Sequence, residues 1–137
     1  MAKTRSELRE KAMVILYQID ILKSNKCEYN VENLINENLE VDNEFVRNIV
    51  YGVETHLEQL DEIANGHMKD WSINRIDKTG AAILRIGLFE ILYEEETPNI
   101  VAINEAVELA KKYAAEEDSS FVNGLLSSVN KGMKADA

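Results

Sequence analysis

Basic side chains near the start of the sequence are its strongest candidates for binding chemistry. Arg5 and Arg9 are four residues apart, which places both on one face of a helix, and Lys3 comes just before them. Guanidinium and ammonium groups grouped in this way can contact the phosphates of a nucleic acid. The alternative is that they only keep the helix soluble. Positive charge at a helix N-terminus opposes the helix dipole, which is a reason to consider a negatively charged partner, and both interpretations stay open.

Tyr17 extends this pattern along the same predicted helix. It follows Arg9 by two helical turns and is therefore nearly in register with the basic patch. An aromatic ring beside a basic patch can stack on a nucleobase. Tyrosine at a helical spacing more often lies at the edge of the core, so both interpretations stay open.

Other residue types form no recognised catalytic or metal-binding arrangement. Cys27 is the single cysteine, which excludes an internal disulfide and any C-x-x-C site. His56 and His67 do not form an H-E-x-x-H motif, and the glycines form no phosphate-binding loop. We therefore expect no enzyme, cofactor or metal. The free cysteine, together with the lack of an apolar membrane span or a secretory signal, predicts a cytoplasmic protein.

The formal net charge of −10 is distributed unevenly along the chain. Residues 1–26 carry six Lys and Arg against three Asp and Glu, a net +3, which leaves −13 for residues 27–137. A uniformly acidic surface would repel polyphosphate. The split instead predicts a basic amino end on an acidic body, which is compatible with RNA or DNA.

The hydrophobic pattern is helical nearly everywhere, and capping residues mark where helices begin. Thr4 and Glu7 form a T-x-x-E capping box before the first helix. Asn30 caps a short second helix, and Asp42 caps a long third helix that Gly66 ends. These three helices are expected to form a bundle.

A second group of helices is predicted after residue 68. Asp77 caps a helix that runs to about Glu94 and is apolar on most sides, as is typical of a central, buried helix. Gly87 in its middle suggests close approach of another helix. Pro98 separates it from a further helix, and a polar break at residues 116–119 precedes the last one.

Four blocks of the sequence resemble the NusB family of bacterial transcription antitermination factors. They are T-R-S-E-L-R-E-K-A-M-V-I-L-Y-Q-I-D, A-I-L-R-I-G-L-F-E-I-L-Y, P-N-I-V-A-I-N-E-A-V-E-L-A-K-K-Y and F-V-N-G-L, beginning at residues 4, 82, 98 and 121. The resemblance covers residue 4 to about residue 130. Its most specific part is I-N-E-A-x-E-L-A-K followed by F-V-N-G.

The resemblance implies an all-α fold in which two three-helix bundles pack at a steep angle, with about six to seven helices. We expect a single domain over residues 1–137, with an N-terminal helical subdomain at 1–67 and a C-terminal one at 68–137. It also implies binding to the boxA element of rRNA operon leader transcripts, together with NusE, the small ribosomal subunit protein ten. Both proteins would join the RNA polymerase antitermination complex, without catalysis.

Site residues follow from the same resemblance. The positions that match the family's RNA contacts are Lys3, Arg5, Ser6, Arg9 and Tyr17. On the central helix, Arg85 and Glu90 are the candidates for contact with the partner protein. The sequence departs from the family by having Arg5-Ser6-Glu7 where consecutive arginines are common, which predicts a shallower salt dependence of RNA binding. It also has Ser119-Ser120, preceded by three acidic residues, where basic residues often precede F-V-N-G.

Two alternatives remain beside an RNA-binding adaptor. One is a protein-interaction module, or a homodimer, whose basic end contacts an acidic surface, since some family members dimerise. The other is a detached part of an RNA-modifying enzyme, which the lack of a Gly-rich cofactor loop disfavours. For the adaptor, the acidic body is expected to attract NusE, since ribosomal proteins are typically basic.

Overall fold

The computed structural model describes residues 3–69, 72–114 and 116–135, without the side chains of 116, 134 and 135. This part of the chain contains seven α-helices, one short 3-10 helix at Ile73–Arg75 and no strand, which confirms the all-α prediction. The α-helices are α1 (Arg5–Ser24), α2 (Val31–Asn38), α3 (Glu44–Thr55), α4 (Leu57–Gly66), α5 (Lys78–Tyr93), α6 (Asn99–Tyr113) and α7 (Glu116–Ala135). None of these described helices is long and apolar enough to cross a membrane.

Helix α1 begins at the predicted capping box. The Thr4 hydroxyl accepts a hydrogen bond from the Glu7 amide at 3.1 Å, and the Glu7 carboxylate accepts one from the Thr4 amide at 3.3 Å. At the other end the Cys27 amide donates to the Leu22 carbonyl at 2.9 Å. This closure places Lys26 in the left-handed region at φ 56°, a conformation that glycine usually supplies at the end of a helix.

Two helices replace the single long helix predicted between Asp42 and Gly66. Asn43, rather than Asp42, caps α3 with its side chain. The helix breaks at His56. The second segment, α4, ends at Gly66 as predicted, but Gly66 is its last helical residue, without a positive φ, and His67 is the C-cap. Because both segments bury the same apolar stripe, the periodicity continues through the break and does not reveal it.

Helix α5 is the central element, as its apolar circumference predicted. Every residue from 80 to 91 is buried, and the helix contacts α1, α3, α4, α6 and α7. A Cβ added to Gly87 would lie 2.7 Å from Leu126 Cδ1, which confirms the expected close approach of another helix. A second close approach was not predicted: Gly52 on α3 faces the Phe89 ring, which an added Cβ would overlap.

Helices α6 and α7 run antiparallel beside α5. The Asn99 side-chain amide at the start of α6 donates to the Asn130 side-chain oxygen near the end of α7, at 2.9 Å. The polar break predicted at residues 116–119 is wrong, because α7 already begins at Glu116. Acidic residues are favourable in the first turn of a helix, where they meet the positive end of its dipole.

Candidate nucleic-acid interface

The structure places Arg9 inside the fold and not on the predicted phosphate-binding surface. Its side chain is 3% exposed and that of Glu90 on α5 is 1% exposed. Arg9 Nε donates to Glu90 Oε1 at 2.7 Å, and Nη2 donates to Oε2 at 2.8 Å. This two-bond geometry occupies the edge of the guanidinium that would otherwise hold a phosphate. The prediction that Arg9 contacts RNA is therefore incompatible with its position in this structure.

Arg9 nevertheless remains charged. Burial alone would lower its pKa, but the hydrogen bonds and negative charge of Glu90 outweigh that effect and raise the pKa above its ordinary value. Glu105 on α6 adds to the effect, with its Oε2 atom 3.9 Å from Arg9 Nη1. The pair is thus a charged link between α1 and the central helix.

Lys3, Arg5 and Ser6 form the exposed start of α1. The Arg5 side chain is 53% exposed, and its only described ion pair is a loose one of 3.8 Å to the exposed Glu96. Its guanidinium carbon lies 4.6 Å from the centre of the Phe45 ring, a cation–π geometry. Ser6 donates a hydrogen bond to the Glu105 carboxylate, with Oγ 2.9 Å from Oε2. Lys3 and Arg5 are therefore exposed cations that an anionic partner can reach.

Tyr17 is exposed but lies apart from this basic group. The residue is 39% exposed to solvent. On an ideal helix it is displaced from Arg5 by about 18 Å along the axis and by about 120° around it. The structure therefore brings Lys3, Arg5 and Ser6 together, but does not bring Tyr17 to them.

A second contact, which the sequence analysis missed, holds the start of α1 to α6. Lys112 Nζ lies 2.6 Å from Glu10 Oε1, and the Tyr113 hydroxyl donates to Glu10 Oε2 at 2.9 Å. The Lys112 hydrogen bond lowers the pKa of Glu10, and Glu10 in turn raises the pKa of Lys112. The partners are about one hundred residues apart in sequence, so no local spacing could have indicated them.

Arg85 and Glu90 are buried and do not form the exposed surface that was expected to contact a partner protein. Arg85 donates to both oxygens of Asp61 on α4, at 2.8 and 2.9 Å, and to Asp20 on α1 at 3.3 Å. Burial lowers the pKa of Arg85, but the Asp61 carboxylate outweighs it and leaves the pKa raised. The Glu90 carboxylate accepts both hydrogen bonds of Arg9. Both residues join α5 to its neighbours, which corrects the prediction that they face a partner.

Ion pairs also change the interpretation of the basic amino end. Three of its six cations pair with carboxylates of the acidic body: Arg9 with Glu90, Arg5 with Glu96 and Lys23 with Glu54. Lys3, Lys11 and Lys26 form no ion pair with a described residue. Since α1 is about 30 Å long, Lys26 lies far from Lys3 and cannot act in the same patch. The basic end is therefore a small site at the start of α1.

The start of α7 is acidic, as the three acidic residues before Ser119-Ser120 indicated. Glu117 is exposed in its first turn, with Asp118 beside it, and Phe121 follows with 37% of its surface exposed. Carboxylates at a helix N-terminus occupy the position where a phosphate would be favoured. This turn therefore offers no attractive field for RNA.

The two histidines contact other helices, and the residue types that could hold a metal form no such site in the described part of the chain. Among the residues that the structure describes, no three His, Cys, Asp or Glu side chains are placed to hold a metal ion. His56 stacks on Tyr93 with ring centres 4.0 Å apart, and His67 Nδ1 is 2.9 Å from Ser128 Oγ. Both histidines thus make packing or hydrogen-bond contacts between helices.

Comparisons with known proteins agree on one family. Residues 6–131 match the model of the NusB family. The transcription antitermination protein NusB of Ruminiclostridium cellulolyticum is 45% identical over 129 residues, which cover 93% of this chain and 89% of that protein. The structure of T. maritima NusB matches with a TM-score of 0.85 at 28% identity, covering 96% of this chain and 93% of that one. A crystal structure of antitermination factors NusB and NusE in complex with dsRNA contains a chain that matches with a TM-score of 0.82 at 29% identity, covering 96% and 99%.

Proposed function

This chain belongs to the NusB family, and from that premise we propose that it is a transcription antitermination factor that binds boxA RNA together with NusE. The observation that carries the proposal is similarity over nearly the whole chain to proteins named for antitermination, one of which was crystallised with NusE and dsRNA. It acts as a non-catalytic adaptor in the cytoplasm, as part of the RNA polymerase antitermination complex.

The start of α1 is the RNA-contacting surface in this proposal. Arg5 and Lys3 are exposed cations on a helix end that is held by the rest of the fold. Phe45 lies against the Arg5 guanidinium and limits the orientations that the side chain samples. A guanidinium that is already oriented loses less conformational entropy when it meets a phosphate.

Charge pairing limits how tightly this surface binds RNA by itself. Arg9 is neutralised by Glu90, and Arg5 is partly neutralised by Glu96. Few phosphates can then be contacted, and each contact contributes to affinity through the release of a counterion from the RNA. NusE is therefore needed to supply the additional contacts for tight binding.

The acidic body is the surface that attracts NusE. Residues 27–137 carry a net charge of −13, which speeds the approach of a basic protein at low ionic strength. We expect the association rate with NusE, measured by stopped-flow fluorescence, to fall steeply as salt is added. A rate that does not depend on salt would contradict this role of the acidic body.

Arg5→Ala tests the proposed RNA surface. We expect the variant to bind a boxA oligonucleotide about tenfold more weakly, since it loses one charge-assisted hydrogen bond. The slope of log affinity against log salt should decrease by about 0.7, the value for one phosphate contact on a single strand. Fluorescence anisotropy at several salt concentrations measures both quantities.

Lys131→Ala is the matched control, because Lys131 is an exposed cation on α7 without a described ion pair. It removes the same formal charge away from the start of α1. Equal losses of affinity in the Arg5 and Lys131 variants would show a general charge effect and would contradict the proposed surface.

A further inference from the structure

We propose that Arg9 and Glu90 are positioning residues for RNA binding: their buried pair fixes the start of α1 so that Lys3 and Arg5 meet the RNA, and Arg9 does not touch the RNA. This inference rests on the proposed function. It assigns to Glu90 a role in RNA binding although its carboxylate is buried at the centre of the fold.

The first two turns of α1 are held from three sides. Arg9 reaches α5 through its two hydrogen bonds of 2.7 and 2.8 Å to Glu90. On α3, the Phe45 ring lies under both arginines, with its centre 4.6 Å from the guanidinium carbon of Arg5 and 5.2 Å from that of Arg9. The buried arginine and the exposed one therefore share the same aromatic support.

The third side is formed by Glu105 on α6. Its carboxylate accepts the hydrogen bond of Ser6 at 2.9 Å and lies 3.9 Å from Arg9 Nη1. Ser6 is next to Arg5 in the first turn, so this bond limits rotation and fraying of the turn that carries the RNA contact. Glu105 and Ser6 thus link the buried pair to the surface.

A helix N-terminus needs such support because its first amides lack partners within the helix, so an end without tertiary contacts frays. Each side chain that is ordered only on binding costs conformational entropy and weakens the complex. By holding the turn in place beforehand, the buried pair lowers that cost. Its contribution to RNA affinity is made through the position of Arg5, not through a contact of its own.

Glu90→Gln distinguishes positioning from direct contact, because the two roles predict changes of opposite sign. If Arg9 bound phosphate, removing the competing carboxylate would free its guanidinium and strengthen RNA binding. If the pair positions α1, the loss of charge loosens the first turns and binding weakens. We expect about a tenfold loss of affinity for the boxA oligonucleotide at constant salt, the equivalent of one charge-assisted hydrogen bond.

Two further variants test whether the loss of RNA affinity acts through Arg5, and whether Glu105 contributes to it. Arg5→Ala made in the Glu90→Gln background should weaken binding less than it does in the wild type, because the contact is already impaired. Glu105→Gln, at a carboxylate that is 27% exposed, should weaken binding in the same direction but less. This variant tests the proposal should Glu90→Gln fail to fold, which circular dichroism would show.

Asp61→Asn is the matched control. Asp61 holds the buried Arg85 of α5 through two hydrogen bonds of 2.8 and 2.9 Å, a pair of the same kind that does not reach the start of α1. We expect this variant to lose stability but to keep its affinity for RNA at temperatures where it is folded. An equal loss in Asp61→Asn, or unchanged or tighter binding by folded Glu90→Gln, would overturn the positioning role. Wild-type protein that fails to bind boxA RNA at all would instead overturn the proposed function, and the inference with it.

Discussion

Arg9→Ala is expected to lower the free energy of unfolding by about 3–5 kcal/mol, because it leaves the Glu90 carboxylate buried without a counter-ion. The Glu90 side chain is 1% exposed, so water cannot replace the lost guanidinium without opening the fold. Urea denaturation followed by circular dichroism measures the change. The same substitution at an exposed phosphate-binding arginine would change stability by less than about 0.5 kcal/mol.

A double variant separates the buried charge from the lost packing. Arg9→Met combined with Glu90→Leu removes both charges and keeps apolar volume at both positions. Replacing a whole buried pair in this way is often neutral or stabilising, so we expect the double variant to be more stable than Arg9→Ala. Near wild-type stability of Arg9→Ala itself would contradict the buried position of this residue.

Leu84→Ala is expected to cost about 2–5 kcal/mol of stability, because the residue lies fully buried in α5 and its removal leaves a cavity. Thermal and urea unfolding measure the loss. Ile100→Ala is the control, since Ile100 is 62% exposed at the start of α6 and its replacement should change stability by less than about 0.5 kcal/mol. Similar losses in both variants would show that α5 is not the central helix.

Features of the fold that depend on local chemistry were predictable from the sequence. The capping side chains of Thr4, Asn30 and Asp77 start helices where expected, because a cap bonds to amides only two or three residues away. The burial of α5 was equally predictable, since its apolar residues occupy most of the circumference. The close approach at Gly87 was predictable too, because a residue without a side chain inside a buried helix leaves room for a neighbour, here Leu126.

Features that depend on distant residues were not predictable in this way. Arg9 was interpreted as exposed because it lies four residues after Arg5, on the same face of the predicted helix. Its partner Glu90 lies 81 residues away in the sequence. Arg9 stands three and four residues before the buried Ala12 and Met13, which places it on the apolar face of α1, but its charge favoured a surface interpretation. Glu105 lies in the most specific block of the family resemblance, yet its contact with Ser6 joins residues 99 positions apart. The break at His56 was hidden because the apolar periodicity continues through it.

The charge distribution acquires a different meaning once the ion pairs are known. The sequence alone suggested a basic amino end that faces RNA, with a net charge of +3. In the structure, Arg9 and Lys23 pair with buried or half-buried carboxylates. Of the other four cations, Lys3 and the loosely paired Arg5 lie together at the start of α1, whereas Lys11 and Lys26 lie further along the chain. A surface with so few free cations is suited to RNA binding that is shared with a basic partner.

The most direct test of the proposed function is the affinity of the wild-type protein for a boxA oligonucleotide and for a scrambled oligonucleotide of the same composition, each with and without NusE. Fluorescence anisotropy at one fixed salt concentration gives the four values. We expect boxA to be bound more tightly than the scrambled RNA, with the difference increasing when NusE is present. Equal affinity for both RNAs in both conditions would contradict the RNA-binding function and favour a protein-interaction module.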